Sequence, residues 1–184
     1  MRVISGSAKG TRLKSVPGET TRPILDRVKE NLFNILGTLV PGTRWLDLFA
    51  GTGQVGIEAL SRGAAECVFT DNARQAIRTI EQNLQTARLA EDAVVLQTDA
   101  FAYLQRLKTS EQPFDVIYIA PPQYKGLWVE ALRLIDADPA ACLYEEGLAI
   151  VQIDPSEREE LELAHLALVD ERKYGRTLFL FYEF

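Results

Sequence analysis

Trp45-Leu46-Asp47-Leu48-Phe49-Ala50-Gly51-Thr52-Gly53-Gln54-Val55-Gly56 is the stretch on which the reading of this chain turns. A short apolar strand carries an acidic residue, runs into a glycine loop and passes into the start of a helix. Loop glycines let backbone N–H groups come close to a ligand, and a carboxylate at the strand end offers a partner to its cationic part. The stretch reads as a cofactor cradle at the carboxyl end of the first strand of an open α/β sheet.

Outward from it, short apolar runs alternate with longer amphipathic stretches. The pattern predicts strands over 44–49, 66–70, 93–98, 114–119 and 147–153, with helices over 55–62, 73–88, 100–108, 126–136 and 155–163. Such alternation implies a parallel sheet covered by helices on both faces. Two last apolar strands, 166–173 and 177–183, meet at Tyr174-Gly175-Arg176 and form an antiparallel hairpin. The expected fold is α/β and Rossmann-like, with seven mostly parallel strands. Upstream, Ile24, Val28, Leu32, Ile35, Leu36 and Leu39 recur at helical spacing between Pro23, read as the first helical position, and the stop Pro41-Gly42. Residues 2–20, with Gly6, Gly10, Pro17 and Gly18, read as an irregular arm or small hairpin without a core of its own.

The 184 residues, 47% of them apolar, fit one domain, with the arm and first helix over 1–43 and the α/β core over 44–184. The net charge of −6 is unevenly spread, because residues 1–45 hold eight basic and three acidic groups. A basic segment on an acidic body attracts phosphates locally and limits non-specific binding elsewhere. Cys67 and Cys142 are isolated, which points to core thiols rather than a metal cluster or redox pair. His165 sits in an apolar run with no Ser or Cys motif and reads as structural. The first residues lack the apolar segment of a signal peptide and no run reaches the length of a membrane span, so a soluble cytoplasmic protein is expected.

Gly51-x-Gly53-x-x-Gly56 satisfies the dinucleotide fingerprint, and Asp71 follows at the spacing of a ribose-binding carboxylate. Asp47 weighs against a pyrophosphate, because a carboxylate beside the helix N-terminus repels the anion such a site holds. S-adenosylmethionine, with no phosphate, a cationic amino group and a sulfonium, suits the stretch better. A dinucleotide and a purely structural glycine turn stay open as alternatives. Candidate cofactor residues then cluster at successive strand ends: Asp47, Phe49, Gly51 and Gly53; Asp71 and Asn72; Asp99, Ala100 and Phe101. Asp71 can accept from both ribose hydroxyls, and Asp99 from an adenine amine, though either can instead cap the helix that follows it. After the fourth strand, Ala120-Pro121-Pro122-Gln123-Tyr124 forms a stiff lip whose carbonyls lack nearby N–H partners and suit an exocyclic amine. Tyr124 can stack on a base.

These residues resemble a known family, the bacterial small-subunit ribosomal RNA guanine-N2 methyltransferases of the RsmD type, which belong to the class I SAM-dependent methyltransferases. The resemblance runs through Arg2-Val3-Ile4-Ser5-Gly6, Lys9-Gly10-Thr11-Arg12-Leu13, Thr21-Arg22-Pro23, Asp26-Arg27-Val28-Lys29-Glu30 and Leu32-Phe33-Asn34-Ile35-Leu36. It continues through Asp47 to Gly53, Glu58-Ala59-Leu60-Ser61-Arg62-Gly63-Ala64, Asn83-Leu84 and Lys173-Tyr174-Gly175. It implies methyl transfer to the exocyclic N2 of a guanine in 16S rRNA on an assembling small subunit, without a metal. It also implies RNA contacts from Arg2, Lys9, Arg12, Lys14, Arg22 and Arg27. One departure stands out: the family carries Asp, or Asn in related enzymes, before the two prolines and an aromatic directly after them. Here Ala120 and an intervening Gln123 occupy those places, so the Gln123 amide oxygen is the expected stand-in for the missing acceptor. Methylation of another amine, such as adenine N6 in DNA, and a SAM- and RNA-binding assembly factor without catalysis are the alternatives.

Overall fold

The computed structural model describes residues 1–18, 24–107 and 112–184. Its seven-stranded sheet has the order β3-β2-β1-β4-β5-β7-β6. The strands are β1 (Arg44–Asp47), β2 (Glu66–Asp71), β3 (Ala93–Gln97), β4 (Phe114–Ile119), β5 (Leu143–Ile153), β6 (Ala167–Tyr174) and β7 (Thr177–Glu183). The first five run parallel, and β7 lies antiparallel between β5 and β6. The hairpin therefore inserts its second strand against the parallel body, as the expected mixed sheet requires.

Period-two alternation sorts the apolar side chains into two cores. Trp45, Phe69, Val116, Tyr118, Ile150 and Phe179 face one layer, packed under α1 (Asp26–Leu36), α2 (Gln54–Ser61) and α3 (Arg74–Ala87). Leu46, Val68, Ile117, Ile119, Val151 and Leu180 face the other, under α4 (Ala100–Leu107), α5 (Leu127–Ala137) and the short α6 (Pro139–Cys142). Phe33 of α1 stacks on Trp45 with ring centroids 5.6 Å apart, which joins the first helix to the sheet. Cys67 and Cys142 are both buried and unbridged.

Several expectations need correction. The arm is not a coreless appendage: Val3, Ala8 and Leu13 lie in the first core, and Arg2 and Arg12 form a β-bridge. Glu58 holds it down, its two oxygens accepting from the N–H groups of Ile4 (2.8 Å) and Ser5 (3.0 Å). Helix α1 starts at Asp26 and closes at Leu36, where Gly37 takes φ 50°, well before Pro41-Gly42; Pro23 lies outside the described residues. β5 begins at Leu143, earlier than expected, with a register shift against β4.

The expected helix over 155–163 is only a 3₁₀ turn, Pro155–Glu157. Asp136 explains part of this: its carboxylate accepts from the N–H groups of Ala164 (2.7 Å), His165 (2.8 Å) and Leu166 (2.8 Å). A chain whose successive N–H groups converge on one side chain cannot also give them to helical carbonyls. His165 is structural in this setting, its Nδ1 lying 2.8 Å from the Asp136 carbonyl oxygen. Desolvation pushes the Asp136 carboxyl up, but the three N–H groups and His165 together hold it below its ordinary value of 3.8. Because the folded value is depressed, this stability is present above the unfolded value and is lost as pH falls through the folded one. Asp136→Ala is expected to lower unfolding free energy by about 2 to 3 kcal/mol at neutral pH, measured by urea denaturation, since it orphans three donors.

Candidate active site

The parallel strand order reverses between β1 and β4, and a cavity of about 700 Å³ opens there at the carboxyl ends of the strands. Asp47, Phe49, Gly51, Asp71, Asn72, Asp99, Ala100, Phe101, Ala120, Pro121, Pro122 and Gln123 all line it. These residues, up to 76 positions apart in the sequence, are thus brought to one site by the sheet.

The loop glycines do different work. Gly51 (φ 54°) and Gly53 (φ 75°) take left-handed backbone that turns β1 into α2, and a Cβ on Gly51 would meet nothing within 4 Å. Gly53 does not line the cavity; its N–H closes the turn on the Ala50 carbonyl at 2.7 Å. A Cβ on Gly56 would meet the Phe69 ring at 2.3 Å and the Cys67 sulfur at 2.7 Å, so this third glycine lets α2 lie close on β2.

Three carboxylates sit around that loop. Asp47, only 2% exposed, accepts the Gly56 N–H at 3.1 Å. Burial pushes its carboxyl up, the Gly56 N–H draws it down and the nearby Asp71 charge pushes it up again, so that it titrates at about 7. Asp71 accepts from Gly51 N–H with one oxygen (3.0 Å) and from Ala73 N–H with the other (2.9 Å), bracing the glycine loop and the turn that leads into α3 together. Asp99 accepts from Ala102 N–H at 2.9 Å and so caps α4. Phe49 and Phe101 meet edge to face, centroids 6.1 Å apart, as an apolar wall beside it.

The proline lip forms the opposite side. Tyr124, 62% exposed and at φ 61°, does not line the cavity; its N–H is taken by Glu157 Oε2 at 2.8 Å. Glu157 also receives the Asp154 N–H, so the turn after β5 clips the lip in place. Sequence reasoning passed over several polar residues of the cavity, among them Gln54, Tyr118, Lys125 and Gln152. Tyr118 donates its hydroxyl hydrogen to the Gln152 side-chain oxygen. Burial and the charge of Asp47 push the Tyr118 phenol well up, which keeps it a donor. The available signal was alternation, since Tyr118 and Ala120 share a strand face and Gln152 interrupts an apolar run.

Arg2, Lys9, Arg12, Lys14 and Arg27 are all exposed, and Arg22 lies outside the described residues. Asn83 ties the arm to the loop: its oxygen accepts from Lys14 N–H at 2.7 Å and its amide donates to the carbonyls of Lys14 (3.1 Å) and Thr52 (2.9 Å).

The family model described as Conserved hypothetical protein 95 matches residues 1–183. The Bacillus subtilis protein YlbH is 41% identical over 177 residues, covering 96% of this chain and 95% of its own. The Escherichia coli Ribosomal RNA small subunit methyltransferase D is 30% identical over 183 residues, covering 100% of this chain and 89% of its own. The solved structure of Escherichia coli yhhF superposes with a TM-score of 0.85 at 30% identity, covering 100% of this chain and 97% of that one.

Proposed function

The chain belongs to the conserved hypothetical protein 95 family, the RsmD type of methyltransferase, and from that premise we propose that it transfers a methyl group from S-adenosylmethionine to the exocyclic N2 amine of a guanine in 16S rRNA. The observation that carries the reading is the buried Asp47 carboxylate, which lines a cavity large enough for the cofactor and takes part in no salt bridge among the described residues. A dinucleotide would set its phosphates against that carboxylate.

The residues present fit S-adenosylmethionine. Asp47 would hold the ammonium, Asp71 the ribose hydroxyls and Asp99 the adenine amine, with Phe49 and Phe101 against the ring. Asp71 and Asp99 do this while keeping their bonds to backbone N–H groups, since a carboxylate has more lone pairs than those bonds use. When bound, the cofactor supplies a methyl carbon that passes to the amine nitrogen while its bond to sulfur breaks, the electron pair staying on sulfur and the surplus nitrogen proton leaving to water.

The chain's own contribution is positioning. Pro121 and Pro122 fix carbonyl acceptors with no flexible approach, and Gln123 adds an amide oxygen beside them, so one N–H of the target amine is held with its lone pair aimed into the cavity. Tyr124 stands at the rim, in reach of a base turned out of its stack. The exposed cations of the arm grip RNA phosphates. Binding of 16S rRNA should therefore weaken as salt rises, and Arg12→Ala should reduce the slope of log K against log salt by roughly 0.7 to 0.9; filter binding across a salt series measures it.

Labelled S-adenosylmethionine offered with assembling small subunits, free 16S rRNA, DNA and protein tests the assignment. Label entering only the ribosomal RNA supports it; label entering DNA or protein reassigns the amine. Ala120 favours one second reading, an assembly factor without catalysis, for which cofactor and RNA bind and no product forms in a single turnover.

A further inference from the structure

Among the described residues one buried side-chain polar atom has no hydrogen-bond partner, the Oε1 of Gln54. Gln54 is 5% exposed, opens α2 directly after the glycine loop, and lines the cavity. An amide oxygen left unpaired in a protein interior costs free energy, whereas leucine of nearly the same size would cost nothing of that kind. Such an atom is explained when its partner arrives with a ligand.

The layer in which Gln54 sits narrows what that ligand group is. Helix α2 covers the sheet face that bears Trp45, Phe69, Tyr118 and Ile150, and Ala120 packs against the same core. Tyr118 and Ala120 are two apart on one side of β4 and its exit, and Gln152 lies on the neighbouring β5 with its oxygen engaged by the Tyr118 hydroxyl. Residue 120 at the strand exit offers no side-chain acceptor, since it is alanine. The cofactor's ammonium has the Asp47 carboxylate to turn to, a stronger partner than a neutral amide. An exocyclic amine carries two N–H groups, and the lip supplies acceptors for one of them.

We propose that the Gln54 side-chain oxygen accepts the second N–H of the target amine, making Gln54 an acceptor for the nucleic-acid substrate. The inference rests on the methyltransferase reading above. A neutral amide accepts the hydrogen bond and takes no proton, so the nitrogen lone pair is turned out of conjugation without a charge being buried beside it.

Gln54→Leu tests this with labelled S-adenosylmethionine and small ribosomal subunits in single turnover, alongside S-adenosylhomocysteine binding and thermal melting. The expected result is a rate lower by about 10²-fold, S-adenosylhomocysteine affinity within twofold of the parent, and a melting temperature unchanged or higher. Gln54→Glu, which keeps an acceptor, should retain more activity than Gln54→Leu. Installing a carboxylate at the strand exit, Ala120→Asp, should recover part of the rate lost in Gln54→Leu, because it offers the amine another acceptor. A Gln54→Leu protein that methylates at the parent rate overturns the inference and leaves the methyltransferase reading intact. One that loses rate only as far as it loses S-adenosylhomocysteine affinity also overturns it, by assigning Gln54 to the cofactor. A parent protein that binds both ligands and yields no product overturns both.

Discussion

Glu58→Ala is expected to lower the stability of the fold by about 3 to 5 kcal/mol, the range for removing one partner of a buried ion pair. Glu58 and Lys29 have no exposed side-chain surface, and their charged atoms lie 3.3 Å apart. Lys29 also donates to the Arg2 carbonyl at 2.7 Å, and Glu58 additionally receives the Arg62 guanidinium at 2.9 Å and the two N–H groups of Ile4 and Ser5. Desolvation pulls the Lys29 ammonium below its ordinary value, and Glu58 is the chief group opposing that. Without Glu58 the arm loses its anchors at Ile4 and Ser5, keeping those to Ser61 and Asn83, and the Lys29 charge is left buried without its carboxylate. Lys29→Met should cost less, because Glu58 keeps Arg62 and the two N–H groups and the methionine fills the space. Urea midpoints with unchanged m-values measure the order. Amide exchange at Ile4 and Ser5 should accelerate in Glu58→Ala. A loss below about 1 kcal/mol, in the range of surface pairs, would contradict this picture of the arm.

The second large effect is on cofactor binding. Ligand-free Asp47 titrates at about 7, and only its carboxylate form attracts a cation. Binding of S-adenosylmethionine below pH 7 must therefore expel a proton, so affinity rises with pH until Asp47 is ionised and the cofactor's own α-amino group begins to lose its proton. Ionising Asp47 gives at most about tenfold tighter binding at pH 8 than at pH 6, part of it offset by that amino group, with proton release measurable by calorimetry in buffers of different ionisation enthalpy. Asp47→Asn should flatten that profile and weaken binding at pH 8 by about 10- to 100-fold. The same group acts on the ligand-free fold with the opposite sign. Its folded value is raised, so the stability it contributes is present at low pH and is lost as pH climbs from the unfolded value through 7. A cofactor affinity independent of pH between 6 and 8 would remove Asp47 from contact with the ammonium.

Much of this was legible in the residues because it rests on local pattern. The Asp47-to-Gly56 stretch, the strand alternation and the closing hairpin each have a short-range cause, and the site collects at strand ends because the parallel topology puts it there. What escaped depends on distant partners. The Glu-rich run after Pro155 has helical composition, yet Asp136 on α5 captures the N–H groups of Ala164, His165 and Leu166, and Glu157 is spent on Tyr124 and Asp154. The arm looked coreless because what seats it, Glu58, Ser61 and Asn83, lies 53 to 69 positions away. Tyr124 was expected to stack on a base; its N–H is held by Glu157, 33 positions away, and it does not line the cavity. Gln54 was read only as a helix start, and nothing in its immediate neighbours reveals that its side chain would be buried without a partner.

The proposed function is one transfer, a methyl group moved to a guanine N2 in 16S rRNA. Mass-spectrometric mapping of 16S rRNA from cells with and without this gene, followed by treatment of the unmodified subunits with the purified protein and S-adenosylmethionine, measures it directly. The predicted result is a single N2-methylguanine present only with the gene and restored by the protein. Identical maps from the two cell types, or a gene-dependent methyl group on any other atom, would contradict it.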